Sequence, residues 1–214
     1  DGLSATGSTT ATAGTYSIRV TQLAQSHQVT NKENTAVAAT STDIVGSASG
    51  TFTFRVGTGS NQTVTLGATA TLDDLKNAIN DLGAGVTAST INAGSDTTPA
   101  YRLVLTSTST GAANGITIET DTTDLSMTAG GAGVDTLQAA QDATVVVGDP
   151  TQTTITLTRS SNVVSDAIPG VTLTLLKTTG SATVQVGVSR DVDAVKTNMT
   201  ALATAYNEVV KFIN

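Results

Sequence analysis

The last twenty-odd residues constrain this chain most. Val192, Val195, Met199, Leu202, Tyr206, Val209 and Ile213 recur at alternating steps of three and four. That is the a/d spacing of a helix built to lie along another helix, kept over three heptads. Ser189 is placed to cap its start, Asp191 and Asp193 fall where the helix dipole favours anions, and Lys211 lies near the other end. No Gly or Pro interrupts the segment, and no second helix of this length and period occurs in the 214 residues. Each seam side chain left in water forgoes about 1.5–3 kcal/mol of burial. The seam therefore implies a partner helix, on another part of the protein or on another subunit, and the chain reads as a fragment whose body sits on a helical stalk. An amphipathic helix folded back on its own β domain fits the same spacing.

The rest of the chain is β in character. Aromatics are only 3% of residues and Trp is absent, so Val, Ile, Leu and Ala do the packing, with Thr the commonest residue. Branched side chains suit a pleated, half-buried surface. Residues 1–14 are mostly Ser, Thr, Ala and Gly, with almost nothing apolar, and read as a loop or a strand-poor lead-in. Tyr16, Ile18 and Val20 then alternate with polar partners, which predicts a strand over 15–21, whereas 23–43 has no clear period. Phe52, Phe54 and Val56, a Gly-rich turn, and Val64 with Leu66 predict a hairpin. A helix follows from Leu72: Thr71 with Asp74 resembles a capping box, Leu72, Leu75, Ile79 and Leu82 form its apolar stripe, and Gly83 ends it. Strands over 86–91, 101–105 and around Ile116 and Ile118 complete a ββαβββ unit. The stretch 121–134, with Gly130, Gly131 and Gly133, reads as a flexible return loop. Four more strands, around Val145, Ile155, Val171–Leu175 and Val184–Val188, lead into the final helix.

Strand 15–21 needs neighbours, and the late strands are the natural ones. The expected fold class is mainly β, or α+β, with two β-rich domains, one inserted into the other, and a C-terminal coiled-coil-type helix. The expected boundaries are 1–44 with 142–189 for the discontinuous outer domain, 45–141 for the insert and 190–214 for the helix.

Charge and motifs exclude more than they nominate. The net charge is −7 and the pI about 4.4. Within 45–141, three basic residues face eight acidic ones, so the insert carries −5. The ten basic residues are scattered, which argues against nucleic acid. No apolar run is long enough for a membrane span, no signal-peptide pattern is visible, and there is no Cys for disulfides or thiol chemistry. His27 is the only histidine; it sits in a polar stretch without a Ser-His-Asp signature and reads as a solvated side chain. The pair Asp73 and Asp74 is explained by the helix start. Asp121 with Asp124, and Asp191 with Asp193, do not fit a calcium loop. Gly57-x-Gly59 lacks the third glycine of a dinucleotide loop and reads as a turn. Asn61-Gln-Thr63 and Asn198-Met-Thr200 match glycosylation sequons, a pattern common by chance. No active site assembles, so no catalytic, cofactor-binding or metal residue is expected, and the chain reads as a structural or binding module rather than an enzyme.

Several stretches resemble a known family. These are Gly14-Thr-Tyr-Ser-Ile-Arg-Val-Thr-Gln-Leu-Ala-Gln25, the run Leu72 to Val86 around Ala78-Ile79-Asn80, Gln141-Asp142-Ala143, Asn162 through Pro169-Gly170-Val171-Thr172-Leu173-Thr174-Leu175, and Ala205-Tyr206-Asn207-Glu208. In this order, over nearly the whole chain, they resemble the bacterial flagellar filament cap proteins (hook-associated protein 2). The stretch around Ala78-Ile79-Asn80 is also similar to the hook IN motif of flagellar axial proteins. The resemblance implies a homo-oligomeric ring at the filament tip, beneath which exported flagellin folds and inserts, with a coiled-coil leg region (D0–D1) and two outer β-rich domains (D2 and D3). It implies flagellin and hook–filament junction proteins as partners, with an export chaperone and host mucin as further ones. It also implies an extracellular location at the flagellum, reached through the flagellar secretion apparatus, and neither nucleic acid, membrane nor cofactor. The missing partner of the seam would be the outgoing leg, and a fragment without both leg segments is not expected to cap a filament alone. Two rivals stand beside this reading. One is an outward-facing adhesion module binding host mucin or glycans through the acidic, Thr-rich insert. The other is a different axial protein, against which the Pro169–Leu175 motif argues.

Overall fold

Two inward-facing sets of β-branched residues, separated in sequence, build two cores. They are seen in a computed structural model of the chain that describes residues 2–128 and 132–213. The elements in order are β1 (Leu3–Gly7), β2 (Gly14–Gln22), β3 (Ser26–Asn31), β4 (Gly50–Val56), β5 (Gln62–Leu66), α1 (Leu72–Leu82), β6 (Val86–Asn92), β7 (Tyr101–Thr110), β8 (Ile116–Asp121), β9 (Val134–Gln138), β10 (Ala143–Val147), β11 (Ile155–Arg159), β12 (Val163–Ile168), β13 (Val171–Leu175), β14 (Val184–Val188) and α2 (Val192–Ile213).

The first core lies between two antiparallel sheets, β11-β10-β2-β14 and β1-β13-β12. β2 is flanked by late strands, as its alternation requires: Ile18 faces Val147 on one side and Val184 on the other. Its inward residues Ile18 and Val20 meet Val145, Leu173 and Leu175, and all are buried. A one-residue slip would turn this set to solvent, so burial itself fixes the register.

The second core is enclosed by sheets β6-β7-β3-β9 and β5-β4-β8, with α1 laid against β6 and β5. Leu72, Leu75 and Ile79 of α1 are fully buried against Phe52, Phe54 and Leu105, while Leu82 is left exposed. Thr71 and Asp74 make the reciprocal capping box, and Gly83 closes the helix with φ 56°, a left-handed position that glycine takes without strain. Asn80 turns from the core to β6: its amide donates to the Ala88 carbonyl (2.9 Å), and its oxygen accepts from the Ala88 N–H (2.7 Å). In the Ile79-Asn80 pair, one side chain anchors the helix in the core and the next brackets it to the sheet.

The structure departs from the sequence reading at several places. Residues 3–7 form β1, paired with β13, where a loop is expected; Leu3 is its one large apolar residue, too little for a visible period. β3 lies in the stretch without clear period and joins the second sheet, and Val29 and Ile44 are buried in the second core. The chain therefore passes into the second core after Gln25, not at residue 44. β12 is also unexpected, its pairing with β13 broken by an irregularity between Val164 and Ile168. The return from β8 is not a loose loop either, because Leu125 and Met127 are fully buried. Asp121 holds that segment by accepting from the amides of Thr123 (2.8 Å) and Met127 (2.7 Å). Gly130 and Gly131 lie outside the described residues, and β9 begins at Val134.

Candidate functional site

Two places stand out: the open helix α2 and the joint between the cores. Asp191, not Ser189, caps α2, its carboxylate accepting from the Ala194 N–H at 2.8 Å. Along one side, the hydroxyls of Thr197, Thr200 and Thr204 donate to the carbonyls four residues earlier, so these β-branched residues turn their polar atoms back onto the helix. At about 100° per residue, the seam runs along another side. Its seven residues are 56–75% exposed, and no residue of α2 is buried. Folding back on the chain's own β domains would have buried them, so that arrangement is not the one adopted. At about 1.5–3 kcal/mol for each large side chain, the uncovered seam is the largest group of exposed large apolar side chains among the described residues.

The joint is made of amide groups. Gln25 and Gln141 exchange backbone hydrogen bonds of 2.9 and 3.2 Å where the chain leaves and re-enters the first core. The Gln141 amide donates to the Leu23 carbonyl, and that of Gln22 to the Asp142 carbonyl. The turn after β7 reaches the first core: Thr110 donates its hydroxyl to the Ser160 carbonyl (2.6 Å), and the Ala112 N–H donates to the Asp142 carboxylate (2.8 Å). Gly111 has φ 107° and lies so close to Ser160 that a Cβ would sit 2.6 Å from that side chain. Beneath the joint, Asn162 brackets Ala24, accepting from its N–H (2.8 Å) and donating to its carbonyl (2.9 Å). The motif residues Gln25, Gln141, Asp142 and Asn162 thus meet in one place, which their separation in sequence does not reveal.

The side chains weighed for chemistry are scattered. His27 is half-buried rather than solvated, its Nδ1 accepting from the Ile116 N–H at 2.8 Å, and burial holds its pKa below the ordinary value of 6.5. Asp73 pairs with Lys76 and Asp74 caps α1; hydrogen bonds hold both carboxyls below their ordinary value of 3.8. Asp121 serves the Leu125–Met127 segment, Gly57 and Gly59 form the β4–β5 turn, and Asn198 lies on α2. Among the described residues, no three His, Cys, Asp or Glu side chains could hold a metal ion together, and no helix is long and apolar enough to cross a membrane. A cluster that the sequence does not announce ties the far end of β3. There Asp135 pairs with Lys32 and Arg102, both at 2.7 Å, while Arg102 also donates to the Asn31 carbonyl.

Comparison with known proteins follows the same outline. Residues 140–214 match the family described as flagellar hook-associated protein 2 C-terminus, and residues 51–109 match the flagellin hook IN motif. The lateral flagellar hook-associated protein 2 of Vibrio parahaemolyticus is 31% identical over 95% of this chain and 46% of its own length. The chain spans about half the length of the curated relatives it matches. Among solved structures, the flagellar cap protein FliD D1-D2-D3 domains from Escherichia coli superpose with a TM-score of 0.82 at 29% identity, over 98% of this chain and 69% of that one. FliD (HAP2) from Pseudomonas aeruginosa PAO1 superposes with a TM-score of 0.80 at 31% identity, over 99% and 95%. The chain belongs to the flagellar hook-associated protein 2 family, the flagellar cap proteins.

Proposed function

We propose that this chain is the outer part of a cap at the distal end of a bacterial flagellar filament, promoting the folding and insertion of exported flagellin. The observation that carries this reading is α2, an open heptad seam that follows directly from a two-core β body in a chain similar to flagellar cap proteins. The first core corresponds to D2, the second core to D3, and α2 to the start of the returning D1 leg, whose seam takes another leg helix as its partner. The cap is homo-oligomeric and touches flagellin and the hook–filament junction proteins. It lies at the filament tip, outside the cell, after export through the flagellar secretion apparatus. Its work is structural: positioning and covering, not bond making. No observation favours an adhesive role for the acidic second module.

Deleting the gene and measuring flagellin in the culture medium beside swimming motility tests this. Abundant monomeric flagellin outside non-motile cells with intact hooks is the expected result. Normal filaments and normal motility would overturn the capping role.

A further inference from the structure

His27 is the only histidine in the chain, and its place relative to the joint is specific. The segment 25–27 holds the turn 111–115 at both ends. At one end the Gly111 N–H donates to the Gln25 carbonyl (3.1 Å), and at the other the Ile116 N–H donates to His27 Nδ1 (2.8 Å). Between these anchors, Gly111 packs on Ser160, and the Ala112 N–H donates to Asp142 of the first core. One anchor is a backbone carbonyl, which does not titrate. The other is an imidazole nitrogen that accepts only while unprotonated, so the proton of the neutral ring is on Nε2.

We propose that His27 is an acid-released anchor of the turn that joins the two cores. When the ring takes up a proton, Nδ1 becomes a donor facing the Ile116 N–H. That hydrogen bond is then lost, and the segment 25–27 keeps the turn only at its Gln25 end, while the Gly57 N–H still donates to the Gly115 carbonyl (2.8 Å). The Ala112–Asp142 contact between the cores loosens with it.

No charged side chain competes for this role. The elements packed on β3 are β7, β9, β8 and the short turn 112–114. Arg102 of β7 and Asp135 of β9 are tied to each other, and Asp135 to Lys32, at the opposite end of β3. Glu119 of β8 pairs with Arg55, Asp121 of β8 is bound to the amides of Thr123 and Met127, and the turn 112–114 carries no charged side chain. Burial alone lowers the pKa of His27. Hydrogen bonds hold the carboxyls of Asp73, Asp74, Asp135, Asp149 and Asp166 below their ordinary 3.8.

The test is amide hydrogen exchange by NMR on the 214-residue chain, corrected for intrinsic rates, at about pH 7.5 and about pH 5. In the unmodified chain, protection of the Ile116 and Ala112 amides is expected to fall severalfold at the lower pH. His27→Asn supplies a non-titrating carbonyl acceptor near the Nδ1 position and should keep protection at both pH values. His27→Phe, which has no acceptor, should lack protection of Ile116 at both. Equal protection at the two pH values in the unmodified chain would overturn the proposal, as would an acid-dependent loss of the same size in His27→Asn. Should a variant fail to fold, the nitrogen shifts of the His27 ring in the unmodified chain decide: an unprotonated, hydrogen-bonded Nδ1 at pH 7.5 supports the anchor, and an Nδ1–H tautomer refutes it.

Discussion

At the scale of single residues, carboxamide side chains that substitute for missing backbone partners hold this protein together. Asn80 brackets Ala88, Asn162 brackets Ala24, and Asn31 accepts from the Leu103 N–H (2.8 Å) while donating to the Thr35 carbonyl (3.0 Å). A carboxamide offers a donor and an acceptor on one rigid group, so it can close an N–H and a C=O at once. Ala24 and Ala88 are both buried, and removing the bracket leaves their amide groups without water to replace it. Asn162→Ala is therefore expected to lower stability by about 1–3 kcal/mol in urea denaturation. A loss below about 0.5 kcal/mol would mean that the bracket adds little beyond packing. These roles were only half legible in the sequence. The family resemblance singles out Asn80 and Asn162 by position, but their partners, eight and 138 residues away, become visible only when the chain is folded.

At the scale of elements, legibility follows the strength of the hydrophobic period. α1, with three fully buried residues on one stripe and a complete capping box, is plain in the sequence. β2, β4, β13 and β14 are too, because large branched or aromatic residues alternate along them. β1, β3 and β9 are not: each carries one or two apolar residues among polar or small ones, and each is specified by the neighbour it pairs with; β12 has Val163, Val164, Ala167 and Ile168, but side by side rather than alternating, so it shows no strand period either. Leu125 and Met127 were hidden for the same reason, two isolated core residues in a polar, Gly-flanked stretch. The cap of α1 offers a clean test of local specification. Thr71→Ala removes the acceptor for the Asp74 N–H and should cost about 1 kcal/mol, read as a lower thermal midpoint. An unchanged midpoint would mean that packing of Leu72, Leu75 and Ile79 alone positions the helix.

At the scale of the whole molecule, charge and seam divide the work. Asp135, held down by Lys32 and then Arg102, and Asp166, held down by Arg159, lie below the ordinary 3.8. A carboxyl depressed on folding contributes stability that is present above its unfolded value and lost as pH falls through the folded one. Their share should therefore disappear only below about pH 3.8, a loss that urea midpoints measured from pH 5 to pH 2.5 would follow. These ion pairs are largely exposed, so the loss should be modest and should shrink further at high salt. The seam of α2 answers to hydrophobic burial instead and is insensitive to that titration.

The central claim is that this seam is the surface through which the protein assembles. It is tested most directly by complementing the deletion strain with the intact gene carrying Leu202→Asp, beside a control carrying Thr200→Asp on the threonine side of the same helix. A charge in a heptad seam cannot be buried without a partner, whereas one outside it stays in water. The account predicts that Leu202→Asp leaves flagellin in the medium and cells non-motile, while Thr200→Asp restores swimming. Full motility with Leu202→Asp would contradict it.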